Sequence, residues 1–211
     1  MIYELREYAV RPGKLAEMIE LSGEVGRRIR GDDYGKLEGY WTTEFGPLNR
    51  LISFWSFPSL DERARLRQAL GEHERWNREF IARLLPNLLA RDTRILSPVL
   101  PLKPPATRGH VYEMRRYVAH VGKSSEWLRL FTEVMPTRER YSPNAGVFRC
   151  EIGDLDEIVH FWPYRDLNHR AEVRAAVAQD PAWRAFLAEA SPLLVHAEAV
   201  VLVPTPFSPM G

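Results

Sequence analysis

The sequence predicts an α+β protein made of two tandem ferredoxin-like units, and three observations carry that expectation. The chain repeats itself, so that residues 2 to about 104 and about 110 to 206 align as two diverged copies. Within each copy, alternation of apolar and polar residues and the turn signals follow the order β-α-β-β-α-β. That order describes a four-stranded antiparallel sheet with both helices on one face. The domains are accordingly expected at 1–104 and 105–211.

The repeat is read residue by residue. At a shift of 109, Tyr3, Glu4, Arg6, Tyr8, Gly13 and Lys14 match Tyr112, Glu113, Arg115, Tyr117, Gly122 and Lys123. At a shift of 107, Gly39, Glu44, Gly46, Phe54, Trp55 and Trp76 match Gly146, Glu151, Gly153, Phe161, Trp162 and Trp183. At a shift of 106, Phe80, Pro86 and Leu96 match Phe186, Pro192 and Leu202. An order held with such small changes of register marks a duplication. Between the copies, Pro98, Pro101, Pro104 and Pro105 stiffen the stretch 98–109, which reads as a linker.

Each element has a local reason. Tyr3 to Val10 alternates and is rich in strand formers, and Pro12-Gly13 breaks it before a helix over about 14–30. Strands at 36–44 and 51–57 flank Gly46-Pro47-Leu48-Asn49, a hairpin turn. Ser59 with Glu62 is a capping box for a helix beginning at Leu60. In the second copy Asp166 takes that place, and Asp180-Pro181 supplies an N-cap followed by proline for the last helix. Arg94 to Ser97 and Glu198 to Val203 close the two units as strands.

Composition narrows the function classes. With 45% hydrophobic and 27% charged residues, the chain can bury a core without metal or disulfides. Twenty-nine basic against 28 acidic side chains give a net charge of +1, too little to gather polyanions, so neither nucleic acid nor membrane is an expected partner. A single cysteine, Cys150, and no leader-like start point to a reducing, cytoplasmic setting. The six histidines show no metal-binding spacing, and phosphate-loop, dinucleotide and nucleophile-elbow motifs are absent, so no cofactor is expected. The basic cluster Arg27-Arg28-Ile29-Arg30 reads as a solvated helix end.

Strand alternation separates two faces in each sheet. Tyr3, Leu5, Ile52 and Phe54, with Val159 and Phe161 in the second copy, suit the face packed on helices. The opposite face carries Glu4, Arg6, Tyr8, Tyr40, Glu44 and Trp55 in the first copy. In the second it carries Glu113, Arg115, Tyr117, Arg149, Glu151, His160 and Trp162. If two such faces meet, they enclose an aromatic chamber with a few ionisable groups, the chemistry of a small-molecule site. The same Glu–Arg pairs also serve as structural ion pairs, and the tryptophans as packing. His160 stands where the first copy has Ser53, so it breaks the internal symmetry.

Taken together, Tyr3-Glu4-Leu5-Arg6, Pro12-Gly13-Lys14, Gly39-Tyr40-Trp41-Thr42-Thr43-Glu44 with Gly46-Pro47-Leu48-Asn49, Trp55 and Ser59-Leu60-Asp61-Glu62-Arg63 resemble the NIPSNAP family. The second copy resembles it through Tyr112-Glu113-Met114-Arg115, Glu151-Ile152-Gly153 and Trp162. The resemblance implies a dimeric α/β barrel, a fold shared with cofactor-free monooxygenases, isomerases, cyclases and haem-degrading proteins, and a homodimer. Three functional readings follow. In the first, a small organic ligand is bound or transformed in the barrel lumen without a tightly bound metal. Arg6 or Arg115 anchors it, Glu4, Glu113 or His160 acts as acid or base, and Tyr8 and Tyr117 orient it. In the second, the chain is a protein-interaction module. In the third, His160 binds haem.

Overall fold

The computed structural model describes residues 1–105 and 109–211. They form two compact units, one of Met1–Ile95 with Val203–Gly211, the other Leu96–Leu202. The last nine residues thus pack with the first unit, although the second domain was expected to run to residue 211. The linker expected at 98–109 starts later, because β4 runs to Leu100, and its positions 106–108 lie outside the described residues.

In the first unit β1 (Ile2–Val10) is followed by helix α1, which starts as Leu15–Leu21, passes through a π-helical turn at Ser22–Arg27 and ends as Arg28–Arg30. Gly31, at φ 55°, stops it in a conformation that a side chain would strain. β2 (Lys36–Phe45) and β3 (Arg50–Phe57) form the expected hairpin, whose turn has Asn49 at φ 54°. Helix α2 (Leu60–Glu72) starts where Ser59 accepts a hydrogen bond from the Glu62 amide at 3.1 Å. The chain breaks at His73 and resumes as α3 over 76–84, before β4 (Leu88–Leu100). The strand order is β4-β1-β3-β2, the ferredoxin-like order.

The second unit repeats this with β5 (Val111–Ala119), α4 (Ser124–Glu139), β6 (Gly146–Ile152), β7 (Glu157–Tyr164), α5 (Leu167–Gln179), α6 (Pro181–Ala190) and β8 (Leu194–Pro204), in the order β8-β5-β7-β6. The closing strands are longer than expected at both ends. Asp166 and Asp180 cap their helices as the sequence indicates.

Asp180 Oδ1 accepts from the amides of Ala182 (2.8 Å) and Trp183 (3.2 Å), while Oδ2 takes the Tyr141 hydroxyl at 2.9 Å and Arg140 at 3.1 Å. The Tyr141 hydrogen bond is the largest of the influences that hold its carboxyl below the usual carboxylate range. A carboxyl depressed by folding stabilises above its unfolded pKa and loses that contribution as pH falls through the folded one. Asp180→Ala is therefore expected to melt below the wild type at neutral pH, with the gap closing in acid. Calorimetric melts across pH check this, and a gap that does not change with pH would contradict it.

The faces are inverted from the sequence expectation. In the second unit, Trp127, Phe131 and Val134 of α4, Val173 and Val177 of α5 and Phe186 of α6 pack on Val147, Ile158, Trp162 and Tyr164. In the first, Met18, Leu21, Leu70, Trp76 and Phe80 pack on Leu37, Tyr40, Leu51, Trp55 and Phe57. Directly opposed residues of paired strands share a face. Glu4 pairs with Trp55 and Arg6 with Ser53, as Glu113 does with Trp162 and Arg115 with His160. The ionisable residues therefore face the helices of their own unit, and the expected enclosure of Arg6, Arg115 and Trp162 between two bare faces is overturned. The apolar set, Tyr3, Leu5, Ile52, Phe54, Tyr112, Met114, Val159 and Phe161, occupies the other side and is buried as well.

Candidate functional site

Between the sheet and helices of the second unit lies a cavity of about 520 Å³, large enough for a small organic molecule. Its walls are aromatic: Trp127 and Phe131 from α4, Trp183 and Phe186 from α6, and Tyr117 and Trp162 from the sheet. Strand β7 places His160 at its closed end, 2% exposed.

The hydrogen bonding of His160 fixes its chemistry. Trp162 Nε1–H donates to His160 Nδ1 at 2.7 Å. An indole N–H can only donate, so Nδ1 holds a lone pair and the neutral ring carries its proton on Nε2. Burial, with Arg115 and Arg138 nearby, holds the imidazole well below its ordinary range and hence neutral. That Nε2–H is buried and meets no hydrogen-bond acceptor in the protein.

Arg138 is the second unusual group. It is 5% exposed, its guanidinium lying 4.1 Å from the centre of the Trp162 ring. Nη1 donates to Ser142 at 2.9 Å and Nη2 to the Tyr164 hydroxyl at 3.2 Å. Among the described residues no carboxylate stands within ion-pair distance of it. Desolvation, the largest influence on it, lowers its pKa from the usual arginine value. A buried cation without a counter-ion costs stability that a bound anion returns.

Glu113 sits behind the cavity and is fully engaged. Arg115 reaches its two oxygens at 3.2 and 3.1 Å, Arg170 donates at 2.5 Å and Arg174 lies at 3.5 Å. Arg115 also donates from Nη1 to the Tyr117 hydroxyl at 2.5 Å. Glu113 is thus a counter-ion for arginines projected from β5 and α5, and it does not line the cavity.

The first unit carries the same constellation without the space. Glu4 pairs with Arg6 at 2.7 Å and with Arg63, and Arg6 donates to the Tyr8 hydroxyl at 3.0 Å. Arg30 lies 3.3 Å from the centre of the Trp55 ring, as Arg138 lies over Trp162. Burial pushes its pKa down to about 9. The corresponding cavity is only about 30 Å³, room for roughly one water. Tyr40, whose hydroxyl donates to Ser22 at 3.1 Å, and Phe207, with ring centroid 4.9 Å from that of Tyr40, fill it. Phe207 comes from the C-terminal segment, held where the Tyr40 amide donates to Ser208 Oγ at 2.9 Å and the Thr205 amide to the Tyr40 carbonyl at 3.0 Å.

Of the residues singled out from sequence, His160, Arg115, Tyr117 and Trp162 line the cavity together. Glu4, Arg6 and Tyr8 form the matching cluster of the first unit, with Tyr40 and Trp55 around its small void. Glu44 is exposed, Arg149 is half-buried away from the cavity, and Glu151 is exposed and bound by Ser97 Oγ. Arg138, Trp127 and Phe131 were not singled out. The repeat held a signal for Arg138, since it matches Arg30 at a shift of 108, between the registers of 109 and 107. The π turn at Ser22–Arg27 accounts for that step, because such a turn holds one residue more than an α turn. Arg30 itself, expected to be solvated, is buried.

The NIPSNAP family model matches this chain twice, over residues 3–101 and 112–209. The chain belongs to the NIPSNAP family. Human NipSnap homolog 3A is 29% identical over 100% of this chain and 86% of its own length, and mouse NipSnap homolog 3B is 30% identical over 99% and 85%. The crystal structure of a putative monooxygenase from Lactobacillus acidophilus aligns with a TM-score of 0.70 over 98% of this chain and 97% of that one. At 11% identity this likeness shows a shared fold for a NIPSNAP chain and that protein. Among the described residues of this NIPSNAP protein no group of His, Cys, Asp or Glu is gathered for a metal ion, and no helix is long and apolar enough to cross a membrane.

Proposed function

We propose that the second unit binds a small organic anion with a flat apolar body, held between the sheet and its helices. One observation carries this reading: the closed end of a roomy aromatic cavity holds a buried imidazole N–H without an acceptor beside a buried arginine without a carboxylate. Both deficits are removed by one anionic oxygen, and charge-assisted hydrogen bonds in such a setting are strong. Space inside the unit argues against a module that acts only through its outer helices. Haem ligation by His160 is disfavoured by its tautomer, since Nε2 carries the proton where iron needs a lone pair.

Binding to the folded state raises the melting point by mass action. At a ligand concentration of 100 Kd the gain is about 2.7 kcal/mol, which for a chain of this size is a rise of roughly 5 to 10 °C. Melts with benzoate, 4-nitrophenolate and inorganic phosphate are expected to show the rise for the aromatic anions alone. Flat melts with every aromatic anion, together with a denatured extract of natively purified protein free of small molecules by mass spectrometry, would overturn the reading.

A further inference from the structure

The polar groups at the closed end of the cavity have one property in common: each can donate and none can accept a proton. His160 offers Nε2–H only, its lone pair being taken by Trp162. Tyr117 accepts from Arg115 and so keeps its own O–H to give. Arg138 has guanidinium N–H groups beyond those used on Ser142 and Tyr164. Glu113, the carboxylate whose charge acts on Arg138, is turned to Arg115, Arg170 and Arg174. Tyr164, on the same strand as His160, is pushed up by burial and stays a neutral phenol. The other ionisable groups lining the cavity are Arg174 on α5 and the exposed His196 on β8.

We propose that this end is a donor-only oxyanion site that selects the conjugate base of a weakly acidic phenol or enol. The inference rests on the binding reading above and adds the ligand class. Each terminal nitrogen of Arg138 already gives one N–H, Nη1 to Ser142 and Nη2 to Tyr164, and keeps one. The donors that remain come from three elements, β5, β7 and α4, and one oxygen atom on a ring can accept from all three. Four aromatic side chains, Trp127, Phe131, Trp183 and Phe186, receive the ring. The O–H bond of the ligand breaks on binding, its electron pair stays on oxygen, and the proton passes to the buffer.

The test uses the intact protein and 4-nitrophenol, whose anion is yellow. In a buffer below the phenol's own pKa, added protein is expected to raise the phenolate band, saturating at one equivalent. Binding to wild-type protein should weaken about tenfold for each pH unit below that pKa and level off above it. His160→Phe should abolish the induced phenolate band, His160→Gln, which keeps an N–H, should restore part of it, and His120→Gln, at an exposed residue outside the cavity, should leave it unchanged. Tighter binding of the neutral phenol at low pH in the wild type would overturn the proposal without any variant. So would benzoate binding with no phenolate band, which leaves the broader anion reading standing. Failure of both probes to bind would remove the broader reading and this one with it.

Discussion

Arg138→Met is expected to weaken an aromatic anion about 10- to 150-fold while leaving the melting temperature nearly unchanged. The first figure follows from losing charge-assisted hydrogen bonds worth about 1.5 to 3 kcal/mol. The second follows because the arginine is buried without a carboxylate, so the unliganded protein bears the desolvation of its charge. Replacing it by an apolar side chain of similar length removes that cost and leaves the Ser142 and Tyr164 hydroxyls to find each other or water. Titration calorimetry alongside thermal melts checks both halves. A large fall in melting point with ligand affinity intact would make Arg138 a structural residue.

Glu113→Gln should do the reverse and damage the fold first. Its carboxylate is the common partner of Arg115, Arg170 and Arg174, and neutralising it leaves their guanidinium groups facing one another. Breaking a buried pair costs about 3 to 5 kcal/mol. Arg170 and Arg174 are partly exposed and can turn to water, so the loss belongs near the lower end of that range. Adding Arg115→Met to Glu113→Gln is expected to recover part of the stability, since one of the opposed cations is gone. Denaturant titration of the two single variants and the double variant measures the coupling. Strict additivity would show that Glu113 and Arg115 do not act as a pair.

The fold was legible in the sequence because the signals that define it are local and occur twice. Ser59 and Asp166 cap equivalent helices, Asn49 closes its hairpin with a positive φ, and Tyr3-to-Tyr8 and Tyr112-to-Tyr117 alternate in step. The assignment of faces was not legible. Alternation distinguishes a buried face from a solvated one, and in these sheets Phe54 and Trp55, on opposite sides, are both buried. Polar residues such as Glu4 and Glu113 go to the helix side because arginines from those helices, Arg63 and Arg170, meet them there. Such partners lie 59 and 57 residues away, beyond the reach of any periodicity. The site was half legible for the same reason. His160 drew attention by breaking the repeat, whereas Arg138 looked like one basic residue among 29.

The plug in the first unit also bears on how the two copies can evolve. A side chain added at Gly23 would meet the Phe207 ring at 2.7 Å, so residues 184 positions apart in sequence are tied by contact. A larger residue at Gly23 is accommodated only if the Phe207 ring moves or is replaced. The two halves of the gene are therefore no longer interchangeable: transferring the helix sequence of one copy into the other by recombination would bring a side chain onto an already filled space. Such an incompatibility keeps tandem copies from being homogenised, and it leaves each half free to specialise.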